Sequence, residues 1–311
     1  MSFFRRIIVV FIWLIASAGF HFIYHWPMMV SVVLFLALPL LGWYLRSDKI
    51  LAIGALIGSL AMLISLSRIA PSNNRDWATE FSVLPRVHIS DQQVTIEGFR
   101  NFKWRGPQEF NPVWATRSFD LRRLESLDLI VEPFKDSELM AHTMLRFGFG
   151  ENEYFIVSVE ARAEKHETYD LVAGALRQFE LIYLFGSESD FLTVRAVYRG
   201  ARLYAYPVKA ERKFIADLFR DLASSANALH ANPKFYQSIR YNCTTTLVKH
   251  FDRQQHQEHI GLRYETLFPA LTGKLLHRMG YMDTAYSYEE AKEYFRVDER
   301  IRESQRHHKS Q

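Results

Sequence analysis

Three apolar runs dominate the first 70 residues of the chain: 7–24, 28–45 and 50–66. Each run is close to the roughly 20 apolar residues that a helix needs to cross a bilayer. The pattern therefore predicts a membrane anchor over residues 1–70, with three transmembrane helices at about 7–25, 27–45 and 50–67. Because the first two runs are almost continuous, a single hairpin that re-enters the membrane from one side is the alternative interpretation.

A short polar linker, 71–76, leads from the apolar runs into a segment with different patterning. Alternation of apolar and polar residues predicts strands at 94–99, 127–131, 143–149 and 154–159. The strands 143–149 and 154–159 are predicted to form a hairpin, and a second hairpin is predicted from 194–198 and 202–206, around Gly200. The part of the chain up to about residue 206 is therefore expected to be mostly strand.

Helical periodicity follows over residues 210–229, from Cys243, over 269–279 and over 288–301. Residues 302–311 are polar and are expected to form a frayed tail. The prediction is one α+β domain over residues 71–301, with an antiparallel sheet and a helix that begins at Cys243.

The positive charges lie where they orient a membrane protein. The whole chain holds 38 Lys and Arg against 34 Asp and Glu, and the first 68 residues, with five basic residues and one Asp, account for the entire excess of +4. Arg5 and Arg6 precede the first run, and Arg46 and Lys49 precede the third. The positive-inside rule then places the N-terminus in the cytoplasm and everything after Arg68 outside it, in the periplasm if the cell is a Gram-negative bacterium. The near-neutral remainder gives no argument for a nucleic-acid partner.

Cys243 is the only cysteine and stands at a predicted helix start, with Asn242 as the N-cap. A lone thiol forms no internal disulfide, and at a helix N-terminus its thiolate is favoured. The backbone N–H groups of Cys243 and Thr244 are candidates to hold an oxyanion. A buried cysteine that only fills the core is the alternative, although a spare thiol in an oxidising compartment is a liability.

His142 is the best candidate base because it begins an apolar strand and lies outside the membrane and the tail. Alternation on the following strand places Ser158, Glu160 and Arg162 on one face, so Glu160 or Ser158 is the candidate that orients the imidazole. Both His142 and Glu160 also have purely structural interpretations, with Glu160 paired to Arg162 or Arg146. The sequence predicts no metal site and no cofactor.

Several segments resemble the Lnb N-terminal periplasmic domain family. They are Asn101-Phe102-Lys103-Trp104-Arg105, Ser118-Phe119-Asp120-Leu121, Ala141-His142-Thr143 with Phe147-Gly148-Phe149, residues 158–164, and Tyr241-Asn242-Cys243-Thr244-Thr245. The resemblance covers roughly residues 75–255. It implies a circularly permuted, NlpC-type papain-like fold, in which the histidine strand precedes the cysteine helix, as His142 precedes Cys243 here.

The resemblance also implies an activity, lipoprotein N-acyltransfer. In it an acyl chain passes from a phospholipid to the enzyme cysteine and then to the α-amine of a lipoprotein. Carried over, Cys243 is the nucleophile, His142 the base, and Glu160 or Ser158 the third residue. The expected partners are a phospholipid and a lipoprotein at the inner membrane. A cysteine peptidase or amidase acting on peptidoglycan peptides, and a non-catalytic binding module, are the alternatives.

Overall fold

The computed structural model describes residue 44 and residues 47–135, 137–150, 153–239, 241–254 and 259–309. The first two predicted membrane helices therefore lie outside the described residues, apart from residue 44. The third is helix α1, Asp48–Arg68, whose N-cap Ser47 accepts a hydrogen bond from the Ile50 N–H at 3.4 Å. Within the described residues, α1 is the one helix that is long and apolar enough to cross a membrane.

The domain is built on a mixed sheet of eight strands. The strands in chain order are β1 Arg86–Ser90, β2 Gln93–Arg100, β3 Lys103–Trp104, β4 Phe110–Asn111, β5 Trp114–Asp120, β6 Ser126–Pro133, β7 Ala141–Gly148, β8 Tyr154–Arg162, β9 Glu180–Ser187 and β10 Tyr204–Pro207. The sheet order is β1-β2-β9-β8-β7-β6-β10, with β5 also paired to β2 and with β3–β4 as a separate ribbon. All pairs are antiparallel except β2–β9, which meet in parallel at Arg100 and Gly186.

The remaining helices lie mainly in the second half of the chain. They are α2 Leu171–Ala175, α3 Glu188–Thr193, a π-helix Val194–Tyr198, α4 Arg212–Ala231, α5 Cys243–Gln254, α6 Tyr264–Leu267, α7 Thr272–Arg278, α8 Tyr288–Tyr294 and α9 Asp298–Lys309, with short 3₁₀ turns at Thr79–Phe81, Leu121–Arg123 and Pro269–Leu271. The α+β class predicted from the sequence, with a largely antiparallel sheet and a helix that begins at Cys243, is confirmed.

Both faces of the sheet are covered, and strand β8 shows how. Its residues Phe155, Val157 and Val159 face one core with α4 and α5, while Ile156 faces a second core with α3 and the π-helix. Ser158 and Glu160 follow Ile156 in the alternation, so they share its face, as predicted. Polar residues within this second core must be paired, because burial removes their hydrogen bonds to water.

Three local predictions are wrong. The segment 194–198 is a π-helix and not a strand of a hairpin, and its Arg195 is buried and paired with Glu132. The helix predicted over 288–301 is broken where Val297 N–H donates to Leu203 O at 2.9 Å. The polar tail is not frayed up to Lys309, because α9 continues through it and Arg302 donates to Ala196 O at 2.9 Å.

The chain that follows α1 is fixed to the domain at the start of β9. Arg177 Nη1 donates to Leu66 O at 3.1 Å, and the Ser72 N–H donates to Glu180 Oε1 at 3.0 Å. Asn73 Nδ2 donates to Leu229 O at 2.7 Å. The end of α1 therefore lies at the same end of the sheet as the first residue of β9.

Candidate active site

Helix α5 begins at Cys243, as the sequence predicts, because Asn242 caps it. Asn242 Oδ1 accepts from the Thr245 N–H at 2.8 Å, and the Asn242 N–H donates to Thr245 Oγ1 at 3.1 Å. These bonds satisfy N–H groups that a helix start leaves without partners. Cys243 is therefore the first residue of the helix, at the positive end of its dipole.

The thiol meets the sheet where two strands separate. The ladder between β7 and β8 ends at the pair Met144–Ser158, although β7 extends back to Ala141 and β8 extends on to Arg162. Helix α5 packs against both strands. Thr143, on the part of β7 beyond the ladder, lowers the pKa of the Cys243 thiol, and the Thr244 hydroxyl lies 3.8 Å from Cys243 Sγ.

His142 is held from β8 through its Nε2 atom. Nε2 lies 2.8 Å from Ser158 Oγ and 3.1 Å from Glu160 Oε1. Ser158 donates its own hydrogen to Glu160 Oε1 at 2.7 Å, so its oxygen can only accept from Nε2–H. This assigns a ring hydrogen to Nε2, so Nδ1 is the nitrogen that remains for the interaction by which His142 and Cys243 shift each other's pKa. Both candidates for the orienting residue therefore contact the imidazole.

The electrostatics favour a charged sulfur and a charged ring. Burial raises the pKa of the Cys243 thiol, but the neighbouring His142 and Thr143 together have the larger, opposite effect. The net result is a pKa lowered from 9.0 to about 7. Burial lowers the pKa of His142, but the Glu160 carboxylate and Cys243 raise it to about 10. At neutral pH the pair is thus poised as a thiolate and an imidazolium, the reactive form of a thiol.

Glu160 remains ionised although it is buried. Burial raises its pKa, but His142, Arg195 and the Ser158 hydroxyl together lower it to about 2. The alternative partners considered from the sequence are engaged elsewhere, since Arg162 donates to Phe81 O and Arg146 pairs with Asp128. The carboxylate therefore serves the imidazole rather than a surface ion pair.

Arg195 is a site residue that the sequence did not reveal. It comes from the π-helix, and its Nη2 lies 3.6 Å from Glu160 Oε1 while its Nε lies 2.7 Å from Glu132 Oε2. Glu132 itself pairs across the ladder with His142. π-Helices occur often at functional sites, but a five-residue segment such as this one has no sequence signal that separates it from a strand.

Tyr236 is a second residue that was missed, and it bears on the oxyanion prediction. The backbone N–H of Cys243, one of the two predicted donors, faces the Tyr236 hydroxyl closely enough to lower its pKa, although burial outweighs this effect. Burial raises the pKa of Tyr236, so its hydroxyl keeps its hydrogen at neutral pH. An amide N–H and a phenolic O–H thus lie together beside the thiol. The Thr244 hydroxyl lies 2.9 Å from Thr143 Oγ1 and links α5 to β7.

These residues lie at the base of a cleft that holds about 1380 Å³ of space and opens to solvent. Cys243, His142 and Glu160 line it together with Tyr236 and Arg195. Cys243 is only 5% exposed, so a reacting group must enter the cleft to reach it. The arrangement of a thiolate, a proton-carrying imidazole and two hydrogen-bond donors suits attack on an ester or amide carbonyl.

Comparison with known proteins places the candidate site within one matched range. Residues 110–278 match the family model of the Lnb N-terminal periplasmic domain, a range that contains His142, Ser158, Glu160 and Cys243. Neither the curated proteins nor the solved structures give a match. Because the matched range covers more than half of the 311 residues, the chain belongs to the Lnb N-terminal periplasmic domain family.

Proposed function

We propose that the protein is a membrane-anchored thiol acyltransferase that moves an acyl chain from a phospholipid to the amine of a lipoprotein. The observation that carries the proposal is that Cys243, His142 and Glu160 line one open cleft, where Glu160 holds the imidazole and the pKa of the buried thiol is lowered. The strand of His142 precedes the helix of Cys243, which supports the permuted papain-like assignment of the fold. The length and apolar character of α1 support anchoring in a membrane. The periplasmic side and the two further spans belong to the same proposal and rest on the charge and apolar runs of the sequence.

The first half-reaction forms a thioester. The thiolate of Cys243 attacks the carbonyl carbon of a phospholipid ester, and the oxygen that becomes negative is stabilised by the Cys243 N–H and the Tyr236 hydroxyl. The carbon–oxygen bond to glycerol then breaks. His142 gives its Nδ1 proton to the departing oxygen, which leaves as the hydroxyl of a lysophospholipid.

The second half-reaction returns the thiol. The lipoprotein amine attacks the thioester carbonyl, neutral His142 accepts a proton from the nitrogen, and the carbon–sulfur bond breaks to give an amide and a thiolate. Glu80 and Glu167 line the cleft together with Arg195 and Arg199, so the lining holds charges of both signs.

Intact-protein mass spectrometry tests the proposal. The full chain, reconstituted with bacterial phospholipid and without an acceptor, is expected to gain the mass of one acyl chain, and hydroxylamine should remove it as it removes thioesters. Cys243→Ser is the matched control and should show no hydroxylamine-sensitive adduct. Absence of the adduct from the native chain, together with Cys243-dependent release of fragments from purified peptidoglycan, would favour the peptidase alternative instead.

A further inference from the structure

Exposed apolar side chains lie on three segments that line or adjoin the cleft that holds Cys243. They come from three segments: the connection between β6 and β7, the segment that enters α2, and the residues before α5. We call these seven residues the apolar rim; they are Phe134, Leu139, Tyr169, Leu171, Val172, Ile239 and Tyr241. Ile239 is 61% exposed, and Leu171 and Val172 are each 48% exposed.

Two of the rim residues, Phe134 and Tyr169, line the cleft directly, and Ile239 lies between the cleft-lining residues Ser238 and Asn242 in the chain. The second and third segments are also joined to each other. Tyr169 Oη lies 3.5 Å from Ser238 Oγ, and a Cβ built on Gly174 would collide with the same hydroxyl. Each of the three rim segments therefore lines or adjoins the cleft, and the second and third are in contact with each other.

The rim lies beside the end of α1. Arg177, two residues after α2, donates to Leu66 O in the last turn of α1. With 21 residues, α1 is about 30 Å long, which matches the hydrocarbon core of a bilayer. Leu66 is then at the membrane surface, and α2 lies within reach of the interfacial layer, which is roughly 5–8 Å deep on each side of that core.

We propose that the apolar rim docks on the phospholipid bilayer that holds α1, so that the Cys243 cleft opens onto the lipid surface rather than into bulk water. Tyrosine rings are favoured at this depth, and the rim contains two. Lys249 Nζ lies 3.6 Å from the centre of the Tyr241 ring and places a cation where anionic head groups gather. The inference rests on the proposed anchoring by α1 but not on the chemistry of Cys243.

Site-directed fluorescence tests the docking without using the reactive thiol. In the Cys243→Ser background, Ile239→Cys and Leu171→Cys are each labelled with an environment-sensitive fluorophore. The full chain is then placed in nanodiscs of phosphatidylethanolamine and phosphatidylglycerol. Val113→Cys is the matched control, because Val113 is also an exposed apolar residue (37%). Val113 O accepts from the N–H of Asn101, the residue after Arg100, which pairs with Gly186. Gly186 lies at the other end of β9, about 20 Å along that strand from Glu180.

Both rim labels are expected to shift to shorter wavelength and to be quenched when nitroxide-bearing lipid is included, while the Val113 label should be unaffected. Rim labels that behave like the control would overturn the proposal. A shift to shorter wavelength without quenching by lipid would also overturn it, since the rim would then be covered by protein, either a partner or a second copy. Because the thiol is absent throughout, these outcomes are independent of whether an acyl adduct forms.

Replacing two apolar rim residues with acidic ones gives a functional test of the same proposal. Leu171→Glu with Ile239→Glu should slow the formation of the acyl adduct from bilayer phospholipid, while alkylation of Cys243 by soluble iodoacetamide stays at the native rate. Val113→Glu is the control for both readouts. Native adduct formation in the double variant would contradict docking by the rim, and equal loss of both readouts would show a structural role instead.

Discussion

Glu160 Oε1 lies 3.1 Å from His142 Nε2, and the same carboxylate oxygen also accepts the hydrogen of Ser158. The carboxylate thus fixes both the charge and the tautomer of the imidazole: it raises the pKa of His142, and it holds the hydrogen on Nε2 directly and through Ser158. Nδ1 is left to exchange a proton with the thiol. Because each charged group stabilises the charged form of its neighbour, the side chains of Cys243, His142, Ser158 and Glu160 behave as one unit.

His142→Ala should remove most of the reactivity of Cys243. The positive charge that lowers the pKa of the thiol is lost while the burial that raises it remains, so the thiolate fraction at neutral pH falls. Acyl transfer is expected to drop by roughly 10²–10⁴-fold, the usual contribution of a general base. Iodoacetamide alkylation followed by mass spectrometry measures the thiolate directly. An unchanged alkylation rate would exclude His142 as the group that activates the thiol.

The pH dependence of alkylation follows from the same pair. Because the thiolate is the reactive form and the pKa of Cys243 is about 7, the alkylation rate should rise as pH increases through about 7. Acyl transfer should fall again above about pH 10, where His142 loses the proton that the leaving group needs. The two midpoints belong to the coupled pair rather than to single residues. A thiol that titrates at its ordinary value of 9.0 would contradict the ion pair.

Asn242 offers a pair of variants that separates capping from charge. Asn242→Ala removes the acceptor for Thr245 N–H and should lower the free energy of unfolding by about 0.5–2 kcal/mol. Asn242→Asp keeps an acceptor but adds a negative charge beside Cys243, which should raise the pKa of the thiol. Urea unfolding and the pH profile of alkylation measure the two effects. Equal alkylation profiles in Asn242→Asp and the native chain would argue against a thiolate at this position.

Glu160→Gln tests whether the carboxylate stabilises the fold through its charge. The pKa of Glu160 is lowered from 4.5 to about 2 in the folded protein, so its contribution is fully present above about pH 4.5 and is lost as pH falls towards 2. The difference in unfolding free energy between the native chain and the variant should therefore shrink below about pH 4. Glu125→Gln, at a half-exposed carboxylate, is the control. A difference that does not change with pH would mean that shape, not charge, matters.

Arg195 should matter more for stability than a surface arginine. Arg195→Met leaves Glu132 and Glu160 buried without their cation, and breaking a buried pair in this way costs about 3–5 kcal/mol. Arg195→Lys keeps the charge and should cost less. Arg123, half-exposed and 3.2 Å from Glu153, is the comparison, with an expected loss under about 1 kcal/mol for Arg123→Met. Urea unfolding decides, and similar losses for both methionine variants would contradict a buried network.

The elements of the site were predictable where the signal was local. Strand alternation put Ser158 and Glu160 on one face, and the cap residue Asn242 fixed the start of α5. The pairing of His142 with Cys243 needed the resemblance to a family, because the two residues are 101 positions apart in the chain and no local pattern links them. The structure then supplied the contacts of His142 with Ser158 and Glu160, which the resemblance could not.

The remaining parts depend on tertiary structure. Arg195 has the polarity of an exposed residue and is buried only because Glu132 and Glu160 neutralise it. The separation of β7 from β8 is likewise invisible in the sequence, since both strands keep their alternation beyond the last paired residues. Such features are set by what packs between the elements, and single-sequence patterning reports only on each element alone.

The contact of Gly174 with Ser238 has a mechanical consequence. Because no side chain separates them, α2 and the segment before α5 are in direct contact, and a Cβ at position 174 would collide with the Ser238 hydroxyl. Ser238 lines the cleft, so Gly174→Ala is expected to move one wall of the cleft mouth while the residues around sulfur keep their places.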